Sequence, residues 1–435
     1  MKIDKNIIDL IRKKNILIGV SGGVDSIVLF DLINKIKDEI NLNIEIAHFN
    51  HSTRNGESDD DELFVKKICE INSIKFHSRR DSMSKYAKNN KISEEEAGRI
   101  LRHKFFDDIL KDKDDLENWY LALAHNLDDQ IETIFMRIFR GTGIKGLEGM
   151  HQIDGKIIRP LLNFKKEEIL EYAKKNKLEY HQDYTNFENI YTRNSIRNEL
   201  IPIIKEKYSK NIYDSILNLS KYSIEYNEYI NNKLNEKLNG LDIEISQDYT
   251  KIKKTDIHKF TSFERNIFLR NEIDRINNSN YDFTKNHYLE IGKIIDSDKG
   301  VYVIINGMIF YNSFNYFIIR RYDDFNESVD FEVKEDIIDF GKYKIFFNKN
   351  CDKPGLLKLN SGDKIKIRFR KNGDKICING KIKKLKDFLI DKKIDRFERD
   401  LLPVIEYNGE IVMVSNLYKR KIKDNGKITI QIKEK

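Results

Sequence analysis

Residues 16–26, which read ILIGVSGGVDS, decide the fold of this chain. Residues 16–20 are apolar or small and predict a buried parallel strand. The tight turn 21–26 follows at once, and the apolar residues after it have helical spacing. A strand, a turn and a helix N-terminus form an anion site, because backbone N–H groups and the helix dipole favour negative charge there. Gly22 and Gly23 let a phosphate approach the backbone closely.

This turn differs from the common P-loop, which ends in Gly-Lys-Ser/Thr. It has no lysine and has Asp25 instead, a carboxylate suited to holding Mg²⁺ against phosphate oxygens. The sequence SGGVDS resembles the PP-loop of the ATP pyrophosphatases, which split ATP into AMP and pyrophosphate. That resemblance implies ATP and Mg²⁺ as cofactors, with Asp25 as the metal ligand. The alternative is an ordinary strand–helix turn that binds nothing.

Composition limits the class of protein. A length of 435 residues predicts two or three domains, and the net charge of +7 permits a nucleic-acid partner without requiring one. The cysteines Cys69, Cys351 and Cys377 form no CxxC pair and no disulfide pattern. We therefore expect no disulfides and a reducing, cytoplasmic location. We also expect no signal peptide and no membrane span, because no apolar run approaches about 18 residues.

Strands predicted at the first four apolar segments alternate with helices, which predicts an α/β fold with a doubly wound parallel sheet. The resemblance of SGGVDS implies that this sheet is of the PP-loop, or adenine nucleotide α-hydrolase-like, type. We expect a mainly helical middle domain and a small α+β C-terminal domain to follow. The predicted strands are 16–20, 44–50, 75–79 and 120–124, and the predicted domains are 1–208, 209–328 and 350–435.

Polar side chains follow the predicted strand ends, where ligands of open α/β sheets bind. The second strand ends in HFNHSTR, which contains His48 and Arg54, and the fourth is followed by His125 and Asp129. An imidazole and a second carboxylate near Mg²⁺–ATP suit adenylation. The alternative for Asp129 is an acidic first turn that stabilises the helix dipole.

Arginines occur in pairs at helical spacing. Arg99 and Arg102 form one pair, and Arg193 and Arg197, with Asn194 between them, form another. Such pairs can clamp phosphates or the charge that develops at a reacting centre. A solvated basic face is the alternative reading.

The segment KIKIRFR near the C-terminus predicts a basic strand face. Its cations alternate with apolar residues, so a strand places all four on one side. We expect this face to contact a nucleic-acid backbone, and the alternative is a solvated edge strand whose lysines guard against aggregation. The four cations are Lys364, Lys366, Arg368 and Arg370.

The chain resembles the tRNA(Ile)-lysidine synthetase family over all three predicted domains. The matching motifs, in the family's order, are SGGVDS, HFNHSTR, EEEAGRILRHKF, AHNLDDQIET, RGTGIKGLEGM, RPLL and YTRNSIRNELIP. The segment 384–417 also resembles the last domain of that family. Departures occur at Gly98, where the family usually has Ala, at His103, where Tyr is usual, and at residues 51–53, where His-Ser-Thr replaces His-Gly-Leu.

The resemblance implies a substrate, a reaction and a set of site residues. A minor tRNA(Ile) with a CAU anticodon is adenylated at C2 of its wobble cytidine, and free L-lysine then displaces AMP to give lysidine. The implied catalytic residues are Asp25, His125, Asp129, Arg193 and Arg197. The implied ATP-binding residues are Ser21, Gly22, Gly23, Val24, Asp25, Ser26 and His48. The expected substrate-binding residues are Arg54, Arg99, Arg102, Glu132, Arg140, Asn194, Lys364, Lys366, Arg368 and Arg370. The sequence leaves a homodimer open.

Two other functions remain open from the sequence. A tRNA thiolase of the same superfamily would use the same adenylation but deliver sulfur, and its relatives rely on paired cysteines that this chain lacks. A catalytically silent RNA-binding protein would be expected to have lost Asp25 or Asp129, and both are present. A small-molecule ligase is a weaker alternative, because it would not need the basic C-terminal strand.

Overall fold

The computed structural model of the chain describes residues 1–51, 57–181, 192–277, 283–297, 300–322, 328–341, 343–349, 357–394, 396–420 and 426–434. The chain divides into two compact units, Met1–Ile230 and Asn231–Lys435. Each unit has its own sheets and its own hydrophobic clusters.

A six-stranded sheet forms the centre of the first unit. Its strands are β1 (Asn15–Gly19), β2 (Asn43–Asn50), β3 (Lys75–Arg80), β4 (Trp119–Ala122), β5 (Ile153–Asp154) and β6 (Ile157–Ile158). Their order is β3-β2-β1-β4-β6-β5. The pairs are parallel except β5–β6, which is antiparallel. The predicted α/β fold with a parallel sheet is confirmed.

Helices cover both faces of this sheet. The helices of this part of the chain are α1 (Lys5–Ile11), α2 (Val24–Ile36), α3 (Glu57–Ile71), α4 (Met83–Asn90), α5 (Glu94–Lys111), α6 (Leu127–Arg140), α7 (Ile144–Leu147), α8 (Lys166–Lys175), α9 (Thr192–Ser195), α10 (Ile201–Lys207) and α11 (Ile212–Leu238). Of these, α1, α2 and α8 pack on one face of the sheet and α5 on the other, while α10 and α11 pack against α6. A 3₁₀ turn lies at Leu116–Asn118, and a π-helical segment, Ile196–Leu200, joins α9 to α10.

Alternation along β1 divides the core between the two faces. Ile16 and Ile18 pack in one buried cluster with residues of α1, α2 and α8. Leu17 faces the other way and packs with Phe105 and Phe106 of α5. The strand is buried on both faces, which explains why its sequence is apolar throughout rather than alternating.

The order in which the chain adds strands to the sheet reverses between the parallel strands β1 and β4. From β1 the chain proceeds outward to β2 and β3, and the later strands continue from β4 on the other side. Ligands of open α/β sheets bind at such a reversal, beyond the carboxyl ends of the strands. The loops that follow β1 and β4 carry the turn 21–26 and His125, so the topology brings these two motifs together.

The second unit begins with a five-stranded antiparallel sheet. Its order is β7-β8-β11-β10-β9, and the helices α12 to α14 accompany it. The sequence predicted a mainly helical middle domain in this part of the chain. These elements are β7 (Ile243–Ile245), β8 (Tyr249–Lys253), α12 (Lys254–Ile257), α13 (Ser262–Asn277), α14 (Lys285–Ile295), β9 (Val301–Ile305), β10 (Met308–Asn312) and β11 (Tyr316–Arg321).

The C-terminal part contains a five-stranded, a four-stranded and a two-stranded sheet. The elements are β12 (Ser328–Glu332), β13 (Asp336–Phe340), β14 (Tyr343–Lys349), β15 (Leu357–Leu359), β16 (Lys364–Phe369), β17 (Lys375–Ile378), β18 (Lys381–Lys384), α15 (Leu385–Asp391), α16 (Arg396–Asp400), β19 (Pro403–Tyr407), β20 (Glu410–Val414), β21 (Tyr418–Lys419) and β22 (Ile428–Glu434). The orders are β12-β16-β19-β20-β21, β13-β14-β22-β15 and β17-β18. Strands before residue 350 thus pair with strands after it.

Within the ranges that the structure describes, none of the helices combines the length and the apolar character needed to cross a bilayer.

Candidate active site

The turn after β1 is held in shape by its two serines. The amide of Ser21 donates to Oγ of Ser26 at 3.2 Å, and Oγ of Ser26 donates to the carbonyl of Gly23 at 2.9 Å. The amide of Gly23 donates to Oγ of Ser21 at 3.3 Å. Helix α2 begins at Val24 with Gly23 as its N-cap, so the turn delivers the helix N-terminus to the sheet edge.

Asn126 links the two strand-end motifs. Its Nδ2 donates to Oδ1 of Asp25 at 3.2 Å. Its Oδ1 accepts from the amide of Asp129 at 3.0 Å, while Oδ2 of Asp129 accepts from the amide of Asn126 at 3.0 Å. This reciprocal pair is the capping box of α6. The predicted neighbours Asp25 and Asp129 are therefore joined through one buried side chain, which sequence analysis did not single out.

Two arginines converge on the acidic face of α6. Arg197 donates from Nε to Oε1 of Glu132 at 2.5 Å and from Nη2 to its Oε2 at 3.0 Å. The same Nη2 reaches Oδ1 of Asp129 at 3.1 Å. Nε of Arg193 lies 3.2 Å from Oε2 of Glu132, and Nη2 of Arg193 donates to Oγ1 of Thr133 at 3.1 Å. The sequence placed these groups in one site, and the structure brings them into direct contact.

Arg197 lies in the π-helical segment Ile196–Leu200. Single π-helical turns inside helices are rare and are found often at functional sites. The wide turn here follows α9, which carries Arg193 and Asn194. Helical periodicity alone gives the spacing of the arginines but does not indicate this change of turn.

Burial and neighbouring charges alter the pKa values of two groups in this site. Burial raises the pKa of Glu132 to about 7, although the hydrogen bond and charge of Arg197 act in the opposite direction. Burial lowers the pKa of His125 to about 3, and the charges of Arg159, Arg102 and Arg193 lower it further. His125 is therefore neutral near pH 7. Its Nδ1 is buried and has no hydrogen-bond partner within the described residues.

The cations around His125 form a basic cluster, which we define as Arg99, Arg102, Arg159 and Arg193. Burial, followed by the charges of Arg99 and Arg193, lowers the pKa of Arg102. Burial also lowers the pKa of Arg159, whose Nη1 donates to the carbonyl of His151 at 2.8 Å. Several partly desolvated arginines beside a neutral imidazole make a site suited to phosphate groups.

The glycine-rich segment 141–150 docks on α6 through Gln130. Nε2 of Gln130 donates to the carbonyls of Glu148 and Met150 at 3.2 and 3.0 Å, and its Oε1 accepts from the amide of Met150 at 2.6 Å. Arg137 donates to the carbonyls of Gly146 and Gly149 at 2.9 Å each. The sequence motif indicated this segment, but Gln130 and Arg137 were not recognised as the residues that hold it.

Lys166 is a further residue that sequence reasoning missed. It begins α8, and its Nζ lies 2.5 Å from Oδ2 of Asp25. Asp25 thus has an amide on one oxygen and a cation on the other. Magnesium commonly binds one or two carboxylates together with substrate phosphates. A half-exposed carboxylate that already attracts a cation at the phosphate-binding turn fits that requirement.

Comparison with known proteins gives the family. The model of the PP-loop domain matches residues 1–204, and that of the TilS substrate C-terminal domain matches residues 365–432. The tRNA(Ile)-lysidine synthase of Clostridioides difficile is 34% identical over an alignment of 448 residues, which covers 98% of this chain and 95% of that protein. The chain belongs to the tRNA(Ile)-lysidine synthase family.

A second full-length relative and a solved structure of a single domain are also similar to this chain. The tRNA(Ile)-lysidine synthase of Clostridium acetobutylicum is 33% identical over 455 residues, covering 99% of this chain and 97% of that protein. A crystal structure of a TILS C-terminal domain aligns with 25% identity and a TM-score of 0.21, covering 25% of this chain and 98% of that domain. The family resemblance proposed from the sequence motifs is confirmed.

The two departures from the family in α5 have physical explanations. A Cβ on Gly98 would lie 2.4 Å from Sδ of Met83, so the glycine makes room for the methionine of α4. Burial, with the charges of Arg102 and Arg99, lowers the pKa of His103 to about 4. His103 is thus neutral, and its ring lies 6.4 Å from that of Phe106.

Other site residues expected of a family member occupy different environments. His48 is 2% exposed, and its Nδ1 lies 2.9 Å from the carbonyl oxygen of Val20. This contact supports the residue that immediately precedes the turn 21–26. Arg140 is exposed in the last turn of α6. Asn194 is half-buried in α9. Arg54 lies outside the residues that the structure describes.

The prediction for the four cations of KIKIRFR, three of which lie in β16 and the last, Arg370, just after it, requires a correction. They alternate along the strand as expected, but Arg368 is buried and donates to Asp374 at 2.8 Å and to Glu406. Arg370 is paired with Asp400. Glu406 of the neighbouring strand β19, Asp374 just before β17 and Asp400 at the end of α16 pair with these guanidinium groups, so the segment does not present four free cations. Lys364 is exposed and Lys366 is half-exposed.

Proposed function

We propose that this chain ligates lysine to C2 of the wobble cytidine in tRNA(Ile) with a CAU anticodon, forming lysidine. The C2 oxygen attacks the α-phosphate of ATP and pyrophosphate leaves. The lysine amine then attacks C2 of the adenylated base, AMP leaves with the oxygen, and the amine loses a proton. The proposal rests on one observation in a member of this family. Hydrogen bonds connect four residues at the point where the strand order of the sheet reverses, namely Asp25, Asn126, Asp129 and Arg197.

In this proposal the turn after β1 binds the ATP phosphates. Asp25 would hold Mg²⁺, which neutralises phosphate charge and favours departure of pyrophosphate. The residues assigned to ATP are Ser21, Gly22, Gly23, Val24, Asp25 and Ser26, while the buried His48 supports the turn through the carbonyl of Val20. The serine hydrogen bonds and the helix N-terminus support this assignment.

The reacting centre lies, in this proposal, where α6 meets the π-helical segment. Asp129 supplies a second carboxylate, while Arg193 and Arg197 stabilise the charge that develops on the adenylated base. A pKa of about 3 makes His125 a weak base, so its role is to hydrogen-bond a reactant through the buried Nδ1.

The tRNA contacts belong to both units in this proposal. Arg54, Arg99, Arg102, Arg140 and Asn194 act near the anticodon, and Lys364 and Lys366 contact the tRNA backbone. Glu132 is buried and holds Arg193 and Arg197 in place instead. Arg368 and Arg370 maintain the C-terminal sheet instead. The proposed division is a catalytic domain at 1–208, a middle domain at 209–328 and a C-terminal domain at 350–435, extended by the strands from Ser328 that pair with it.

ATP–pyrophosphate exchange with the purified protein tests the adenylation step. Labelled pyrophosphate should enter ATP only when tRNA is present, because the tRNA itself is adenylated. Addition of lysine should consume the intermediate and produce AMP. Exchange that depends on lysine but not on tRNA would instead identify an enzyme that activates the amino acid, and would contradict the proposal.

A further inference from the structure

Lys166 is fixed at the mouth of the candidate ATP site by backbone contacts. Its amide donates to Oδ2 of Asp128 at 2.8 Å. Two residues earlier, the carbonyl of Phe164 accepts from the amide of Leu127 at 2.9 Å. The start of α8 is thereby attached to the start of α6, which follows β4. Lys166 consequently reaches the reversal point of the sheet although it follows Asp25 by 141 residues.

The Lys166 side chain forms an open ion pair with Asp25. Nζ lies 2.5 Å from Oδ2 of Asp25, and the two side chains are 40% and 28% exposed. Ion pairs with this much solvent contact contribute little to folding stability. The pair therefore has no evident structural purpose, and a ligand entering the turn can separate it at small cost.

The chemistry of the turn calls for a cation at this place. A P-loop contains a lysine that reaches the β- and γ-phosphates, and the turn 21–26 has none. Asp25 in its place would repel a polyphosphate unless a cation accompanied it. Lys166 supplies that cation from a different part of the chain.

We propose that Lys166 is the phosphate-binding lysine of this site. In the free protein its ammonium group neutralises Asp25, and when ATP binds it donates to oxygens of the terminal phosphates while Asp25 turns to the metal. The same contact would hold pyrophosphate as it leaves. This inference rests on the proposed function only in that ATP binds at the turn after β1.

Nucleotide binding to the full-length protein tests the proposal without any turnover. Isothermal titration calorimetry with Mg²⁺ and α,β-methylene-ATP, in the absence of tRNA and lysine, gives the Kd. We expect Lys166→Ala to raise this Kd at least about tenfold and Lys166→Arg to keep it within about threefold, because arginine also binds phosphates. The matched control is Lys165→Ala, which removes the adjacent exposed lysine and should leave the Kd unchanged.

AMP provides the discriminating ligand, because it lacks the terminal phosphates. Lys166→Ala should bind AMP as the unaltered protein does, whereas a general distortion of the site would weaken both nucleotides equally and overturn the proposal. Equal affinity of Lys166→Ala and the unaltered protein for α,β-methylene-ATP would also overturn it. If Lys166→Ala fails to fold, Lys166→Gln is measured in its place against the same criteria. An unaltered protein that binds no ATP analogue would contradict the proposed function itself, and this inference with it.

Discussion

Asp25 is the side chain on which the proposed adenylation depends most directly. Replacing it with Asn should lower the rate of tRNA-dependent ATP–pyrophosphate exchange by at least ~100-fold, because the metal loses its anionic ligand. Binding of tRNA should persist. The control is Asp31→Asn on the same helix, where the carboxylate pairs with Lys35 instead. Exchange near the unaltered rate in Asp25→Asn would remove this residue from the site.

His125 should remain neutral across the physiological pH range. Burial and the nearby arginines hold its pKa near 3, below the value of about 6.5 in an unfolded chain. Its contribution to stability is therefore present above pH ~6.5 and is lost as the pH falls toward 3. NMR of histidine-labelled protein, assigned by difference with His125→Asn, should show no titration of this ring between pH 5 and 8. A midpoint near pH 6.5 would refute the electrostatic description of the site.

Some residues of the candidate site could be predicted from the sequence, and others could not. Asp25 and Asp129 could be found because they follow strands that a parallel sheet must bring to one edge. Lys166 could not, because it lies in a helical segment rich in Lys and Glu, where nothing distinguishes it from its neighbours. The neutrality of His125 depends on arginines from three distant segments and requires the folded structure.

The contact between α6 and the π-helical segment should behave as a buried ion pair. Arg197→Ala leaves the fully buried Glu132 with Arg193 only, and should reduce the free energy of unfolding by about 2–3 kcal/mol. The double variant Arg197→Ala/Glu132→Gln should recover most of that stability but not the activity. Chemical denaturation and exchange assays measure the two effects. Recovery of both together would mean that Arg197 acts only in folding.

The docking of segment 141–150 on α6 can be tested at Gly149. This glycine has a φ of +72°, and a Cβ there would lie 2.5 Å from Nε2 of Gln130. Gly155, with a φ of +58° and no atom within 4 Å of its Cβ position, is the matched control. Gly155→Ala should cost about 1 kcal/mol from backbone strain, and Gly149→Ala about 1–3 kcal/mol more from crowding. Equal costs in thermal unfolding would show that the segment is not docked as described.

Elements were predicted best where the pattern and the burial agree. The four main strands were located to within two residues. The sequence predicted a mainly helical middle domain and not the five-stranded sheet of the second unit, because these strands are short and β8 pairs with β11, which lies far along the chain. In β16 the period was correct, but Arg368 is neutralised by Asp374 and Glu406, which no local pattern reveals.

At the scale of the whole molecule, the C-terminal sheets should bind the tRNA backbone without taking part in chemistry. Lys364→Gln/Lys366→Gln should weaken tRNA binding and reduce its salt slope by about 0.7–0.9 for each phosphate that these lysines neutralise. The matched control, Lys344→Gln/Lys433→Gln, removes two exposed lysines from the other sheet. An unchanged slope in the first variant would exclude this face of β16 as a tRNA-binding surface.

Truncation of the C-terminal part has to respect the observed sheets. Strand β12 pairs with β16, and β14 pairs with β22, so a cut near Pro354 would leave apolar strands without their partners. A chain ended before Ser328 removes these sheets as a whole. It should keep the turn 21–26 intact, bind α,β-methylene-ATP as the full chain does, and bind tRNA more weakly.

The central claim is that this chain attaches lysine to a tRNA base after activating that base with ATP. The most direct measurement incubates the purified protein with ATP, Mg²⁺, isotope-labelled lysine and a tRNA(Ile) transcript with a CAU anticodon, then identifies the nucleosides by mass spectrometry. The account predicts a labelled lysidine in place of the wobble cytidine, and none when Asp25→Asn replaces the unaltered protein or when an elongator tRNA(Met) replaces tRNA(Ile). A thiolated base, or an unmodified cytidine under conditions where ATP is bound, would contradict it.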